Sequence, residues 1–301
     1  MNARAIVAQA WEITRREPQL RRWGFASAFF ATLFNAKLLV YQVWFVYSYF
    51  WENKPIGFFE DFELLYQVVP GWVFWTIVTA LIILVIIEWL FPHFAKGAII
   101  GLVAKSYNGE EIKGGLVLAV YNFFPLLAVH ELLVLSGLST TITLISLALR
   151  YGSVAAPFAI AAIVLTWIAT NVVEFFWVFS EEAIVINKMG LRAAISKSIK
   201  LVISYLSHIF FLLMLLIVIM LRIVANALMV ILVPGVVIGL GYLLTSFLSP
   251  LLSYSIMGLV GIAIIYAASY LFAYLEVFRE AVWTITYLEL KKYKELDIIE
   301  D

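Results

Sequence analysis

The sequence predicts an all-α protein, a polytopic bundle of transmembrane helices with amphipathic helices on its cytoplasmic side. Three observations predict it. Hydrophobic residues make up 64% of the 301 and charged residues 13%. A soluble domain holds about 45–50% and about 25%, so a water-soluble fold of this length would lack the polar residues to cover its surface. The apolar residues also come in blocks: residues 71–91 carry only Glu88, 153–179 only Glu174, and 206–275 only Arg222. An uncharged run of about 20 residues matches about 30 Å of hydrocarbon. Finally, lysine and arginine are concentrated in alternate loops.

Residues 1–22 read as an amphipathic helix with Arg4, Arg15, Arg16, Arg21 and Arg22, broken near Pro18. No small-residue cleavage site follows, so the first apolar block reads as a retained span. Six spans are expected, at about 23–49, 70–91, 114–136, 153–179, 206–233 and 251–275, within one transmembrane domain over 1–301. The 51–69 loop is acidic and carries Phe58, Phe59, Phe62 and Tyr66, a composition suited to the headgroup layer. Residues 92–113 read as a polar segment with a short surface helix over 97–105 and a turn at Asn108-Gly109. Pro125 is expected to kink the third span, and 137–152 to be an outer amphipathic stretch with Arg150.

The 180–205 segment carries Lys188, Arg192, Lys197 and Lys200. Residues 234–250 hold glycines at 235, 239 and 241 and are short for a crossing. They read as an interfacial or re-entrant connection; three short spans between 206 and 275 would instead make seven. A charged cytoplasmic helix is expected over 276–301. The segments 1–22, 92–113, 180–205 and 276–301 hold 16 of the 20 basic residues. The positive-inside rule therefore places both termini in the cytoplasm and the chain in the cell (plasma) membrane as a multi-pass protein.

Two stretches carry a family resemblance. Residues 182–198 (Glu182-Ala183-Ile184-Val185-Ile186-Asn187-Lys188-Met189-Gly190 through Ser198) and the ending Phe278-Arg279-Glu280-Ala281-Val282-Trp283 through Leu290 resemble elements of several prokaryotic six-span families. These include the membrane domain fused to some bacterial glycerophosphodiester phosphodiesterases. The 301 residues contain no stretch of the soluble phosphodiesterase domain, so the resemblance implies architecture only.

An ionisable group at bilayer depth costs about 2.5–3.5 kcal/mol or more and needs a partner, water or a route to the interface. Counted at roughly 1.5 Å per residue from the cytoplasmic start of each span, Lys37 lies about 21 Å up, Glu131 about 25 Å and Arg222 about 24 Å. That predicts an outer-half ion network of Glu131, Arg222 and Lys37 beside His130, able to receive an anionic or zwitterionic ligand. The alternative is that Lys37 and Arg222 snorkel to the interface. Glu88 and Glu174 are expected together at the cytoplasmic depth, sharing a proton or a cation, or else reaching headgroup water or pairing with Lys96 and the basic residues of 180–200. Ala155, Ala159, Ala162, Thr166, Thr170 and Glu174 form a small and polar stripe suited to close helix packing or to a half-channel. Ala263, Ala267, Ser269 and Ala273 read as a packing face. Arg15, Arg16, Arg21, Arg22, Arg192, Lys197 and Lys200 are candidates for anionic headgroups, about 1 kcal/mol each near the surface.

Other chemistries are excluded. With no cysteine, disulfides, thiolate catalysis and Cys-ligated metals are ruled out. Adjacent His130 and Glu131 point about 100° apart on a helix and cannot act as an i, i+4 ligand pair. No metal, cofactor or catalytic residue is expected, and the zero net charge gives no field for nucleic acid. The expected role is that of a non-enzymatic structural or accessory protein contacting membrane lipids, partner subunits or a second copy of itself. The alternatives are a transporter or permease that binds its ligand at the outer polar level, and a lipid-directed enzyme using His130 and Glu131 as acid and base.

Overall fold

The computed structural model describes residues 3–50, 60–206, 239–241 and 243–297. Among these there is no strand. Helices follow wherever the apolar blocks run without a turn signal. Helix α1 (Ala3–Arg16) ends before Glu17, and Pro18 opens α2 (Pro18–Phe50), a position where the missing N–H would be unpaired anyway. Then come α3 (Glu60–Val68), α4 (Gly71–Tyr107), α5 (Gly115–Leu132), a 3-10 turn at Val134–Ser136, and α6 (Leu138–Tyr151). They are followed by α7 (Ala156–Trp177), α8 (Ser180–Asn187), α9 (Leu191–Ser204) and α10 (Pro250–Asp297). The α4–α5 connection turns through Gly109 (φ 72°) and Gly114 (φ 83°), a backbone region that glycine enters without strain.

Among the described residues, four stretches are long and apolar enough to cross a membrane: Gly71–Tyr107, Gly115–Leu132, Ser153–Asn187 and Ser255–Lys292. Three of them exceed the need. The 37 residues of α4 span about 55 Å against about 30 Å of hydrocarbon. Each long helix therefore has an apolar part and a second part that enters a packed, charged end. In the most apolar window of each of the four, only 6–22% of residues are buried inside the protein. Ile82, Ile83, Leu165, Ile168, Leu259 and Ile262 point outward there. The core lies instead at the charged end, where Ile99, Leu102, Phe179, Leu201, Ile285 and Tyr287 are buried together.

The helices run antiparallel in pairs. On α2 and α4, Trp23 meets Phe94 and Phe30 meets Phe91, with ring centres 6.0 and 4.7 Å apart. On α2 and α10, Ser27 donates to Glu276 at 2.6 Å and Phe25 meets Tyr266. Helix α1 lies on the second half of α10, with Trp11 edge-on to Phe278. Helix α5 runs down the lower part of α4: a Cβ on Gly97 would touch Leu118, Asn122 and Leu126, and one on Gly101 would touch Leu118.

Three findings correct the sequence expectations. Pro92 does not end α4, which continues to Tyr107. Residues 97–105 are no surface helix, since Ala98, Ile99, Ile100, Leu102 and Val103 are fully buried. That burial, about 1.5–3 kcal/mol for each large side chain, outweighs the roughly 3 kcal/mol of an interior proline. Residues 276–297 form no separate amphipathic helix. Helix α10 runs unbroken from 250 to 297, with 281–288 buried all round. The apolar face of α1 (Ile6, Ala10, Ile13) is packed into the protein core. Helix α5 carries Pro125 internally and ends at Leu132, followed by the turn at Val134–Ser136. The carbonyl of Ser136 freed there accepts from Trp167 Nε1 at 2.9 Å and Asn171 Nδ2 at 3.3 Å on α7. The expectation for 206–233 falls, apart from Leu206, outside the described residues, and so do residues 234–238 and 242 of the 234–250 connection.

Candidate functional site

The densest group of ionisable side chains sits where α4, α8 and α10 meet at the charged end. Helix periodicity puts Glu276, Arg279 and Glu280 on one face of α10. Residues 180–182 open α8, and Lys96 follows Pro92 by one turn of α4. Lys96 pairs with Glu181 and lies 3.9 Å from Glu280. Arg279 donates to Glu280 at 2.8 Å through Nη2 and 3.2 Å through Nε. Burial opposes charge on Lys96, yet the fields of Glu181 and Glu280 raise its proton affinity above that of an ordinary lysine. Burial also opposes charge on Glu280, and Lys96 and Arg279 overcome it, holding that carboxyl below its usual range. Glu182 goes the other way. Burial, then the negative fields of Glu280 and Glu181, push it well above the usual carboxylate range.

Beside the cluster, Ser198 of α9 is fully buried. Its Oγ donates to the Phe176 carbonyl at 2.8 Å and accepts the Phe179 N–H at 3.0 Å, which fixes the break between α7 and α8. At the lower rim, Tyr107 donates to Glu289, and Lys292 lies 3.1 Å from both.

The expected site residues are distributed differently from the sequence count. Lys37 stands 2.5 Å from Glu88, a carboxylate expected at another depth. Glu131 faces His130 at 3.3 Å, and the His130 ring lies 3.8 Å from that of His93. Lys37 and Glu131 form no ion pair among the described residues, and Arg222 lies outside them. The depth count assumed that the spans begin level, whereas α5 begins beside Leu102 of α4. That offset drops His130 and Glu131 below Lys37. Glu174 is exposed on α7, away from buried Glu88.

The α7 stripe does not form a packing face among the described residues. Thr166 and Thr170 bond back to Ala162 and Thr166 carbonyls, and Trp167 and Asn171 make the contact with the α5–α6 break. The α10 stripe is split: Ser269 and Ala273 are buried while Ala263 and Ala267 are exposed, and a Cβ on Gly24 would meet the Ala273 carbonyl at 3.1 Å. Of the basic residues, Arg15, Arg16, Arg22, Arg192 and Lys200 are exposed. Arg21 donates to the Tyr274 hydroxyl at 2.8 Å, and Lys197 stands 5.6 Å from the Tyr287 ring centre. No group of three or more His, Asp or Glu side chains among the described residues is placed to hold a metal ion.

The buried cluster was legible only in part. Glu276, Arg279 and Glu280 share a helical face, which signals a polar contact, but their partners on α4 and α8 lie about 100 to 180 residues away in sequence. No protein-family model, curated protein or solved structure matches the chain.

Proposed function

We propose that the chain is a six-span integral protein of the cell membrane with both ends in the cytoplasm, acting as a non-enzymatic structural or accessory protein that contacts lipid and partner subunits. The supporting observation is the division of the bundle. The charged end is a self-sufficient packed core, while the apolar halves turn most of their side chains outward, surface that needs lipid or partner helices to cover it. Exposed Arg15, Arg16, Arg22, Arg192 and Lys200 surround the charged end and supply sites for anionic headgroups. In this layout the spans are 23–49, 70–91, 114–136, 153–179, 206–233 and 251–275, an architecture shared in outline with the membrane domains of glycerophosphodiester phosphodiesterases.

Because the chain has no cysteine, single substitutions report position without background. Gln9→Cys and Lys200→Cys are expected to react with a membrane-impermeant maleimide only from the inner face, and Gln67→Cys and Val154→Cys only from the outer. Labelling of Gln9 and Lys200 from opposite faces would remove the topology. Native mass spectrometry is expected to show retained anionic phospholipid that is lost when the five exposed basic residues become glutamine. Equal retention would remove the lipid-contacting role.

One observation favours a solute-binding alternative: the Lys37–Glu88 pair sits mid-length on α2 and α4 with Lys37 partly exposed. Binding of an anionic or zwitterionic compound that disappears in Lys37→Met would favour it.

A further inference from the structure

Glu182 is 1% exposed, and its Oε2 has no hydrogen-bond partner among the described residues. The cations near it are already engaged, Lys96 with Glu181 and Glu280, and Arg279 with Glu280. Among the described residues, the other elements around α8 bring no compensating charge. On α9, Arg192 and Lys200 are exposed and Lys197 stands over the Tyr287 ring. On α5, His130 and Glu131 face each other. On α10, Glu276 accepts from Ser27 and adds negative charge. Four carboxylates, Glu181, Glu182, Glu276 and Glu280, thus share Lys96 and Arg279. With all ionised, two negative charges would be left over where water is excluded; Glu276 has a donor in Ser27, whereas Oε2 of Glu182 has none among the described residues. Desolvating such a charge costs several kcal/mol, and a group in that position takes up a proton instead. The backbone N–H of Glu182 bonds its own carboxylate and opposes this, but one such bond is weaker than the burial.

We propose that Glu182 is a proton-binding site: the folded protein holds it as the neutral acid at neutral pH, and loss of that proton to water loosens α8 from α4 and α10. The consequence follows from geometry. Helix α8 is held to α4 by the Lys96–Glu181 pair, and Lys96 also faces Glu280 of α10. A new negative charge on Glu182 repels Glu181 and Glu280 and competes with both for Lys96. Burial and those same neighbours raise the affinity of Glu182 for its proton.

The test uses the full chain in lipid nanodiscs. Infrared pH-difference spectra are expected to show a protonated-carboxyl C=O band that disappears well above the ordinary carboxyl range, is absent in Glu182→Gln, and persists in Glu131→Gln. Hydrogen exchange in 180–187 is expected to rise across the same pH range in the parent and to stay flat in Glu182→Gln. The sign follows from linkage. A carboxyl whose folded pKa is raised stabilises the fold fully below its unfolded pKa, and that stabilisation is lost as pH rises through the folded pKa. The parent is therefore expected to lose thermal stability from about pH 5 upward, and Glu182→Gln to lose less. A band unchanged in Glu182→Gln would overturn the proposal. So would failure of Glu182→Gln to fold, since the amide mimics the neutral acid. Abolition of the band by sodium chloride at fixed pH, absent with choline chloride, would also overturn it, because the site would then take a metal cation in place of a proton.

Discussion

The Lys37 ammonium lies 2.5 Å from Glu88, and the Glu88 side chain is fully buried while that of Lys37 is 42% exposed. The second carboxylate oxygen, Oε1, has no hydrogen-bond partner among the described residues. The pair is therefore asymmetric. Lys37→Met strands a buried charge and is expected to cost about 3–5 kcal/mol, whereas Glu88→Gln leaves a lysine free to reach the interface and is expected to cost less than half of that. The double variant Lys37→Met/Glu88→Leu is expected to recover most of the loss. Thermal unfolding in detergent reads all three, and equal losses in the two single variants would refute the asymmetry.

Lys96 serves two carboxylates on two helices. Lys96→Met is expected to lower stability by about 3–5 kcal/mol. In a double-mutant cycle with Glu181→Gln, the coupling energy is expected to exceed about 1 kcal/mol. A cycle that sums to zero would mean that the pair contributes nothing to the fold.

Ser198 is the single side chain that serves both backbone groups at the α7–α8 break. Ser198→Ala leaves the Phe179 N–H buried and unpaired, for an expected loss of about 1–3 kcal/mol. Hydrogen exchange at Phe179 is expected to rise with it, and exchange at the parent rate would show that another group takes over.

Gly24 marks the closest approach of α2 to α10: an added Cβ would lie 2.4 Å from Val277 Cγ2 and 3.1 Å from the Ala273 carbonyl. Gly24→Ala is expected to destabilise by about 1–3 kcal/mol through overpacking. Gly71→Ala meets nothing within 4 Å and is expected to be neutral or slightly stabilising. The two melting temperatures, measured side by side, check this.

The parts legible in the sequence are those set by local chemistry. The blocks around 71–91, 153–179 and 251–275 are helical because hydrocarbon-length apolar runs contain no turn signal. Pro18 marks a helix boundary because it lacks a donor. The misjudged parts depend on neighbours distant in sequence. Pro92 reads locally as a stop, but burial of Ile99, Leu102 and Val103 carries α4 past it. The charges of 276–280 read as a solvated surface, yet Lys96 and Glu181 arrive from other helices to pair with them. The α1 pattern of Ile6, Ala10 and Ile13 fits a lipid surface or a protein core equally well, and only the position of α10 separates the two.

By itself, the sequence determined that this chain is helical and that much of its surface needs an apolar solvent, because hydropathy accumulates residue by residue along a helix. Tertiary structure decided which charges meet. Ion pairing falls off steeply with distance, and the register between helices is set by side-chain packing such as that of Gly97 and Gly101 against Leu118. That register put Glu88 beside Lys37, set His130 against His93, and left Glu182 without a cation of its own.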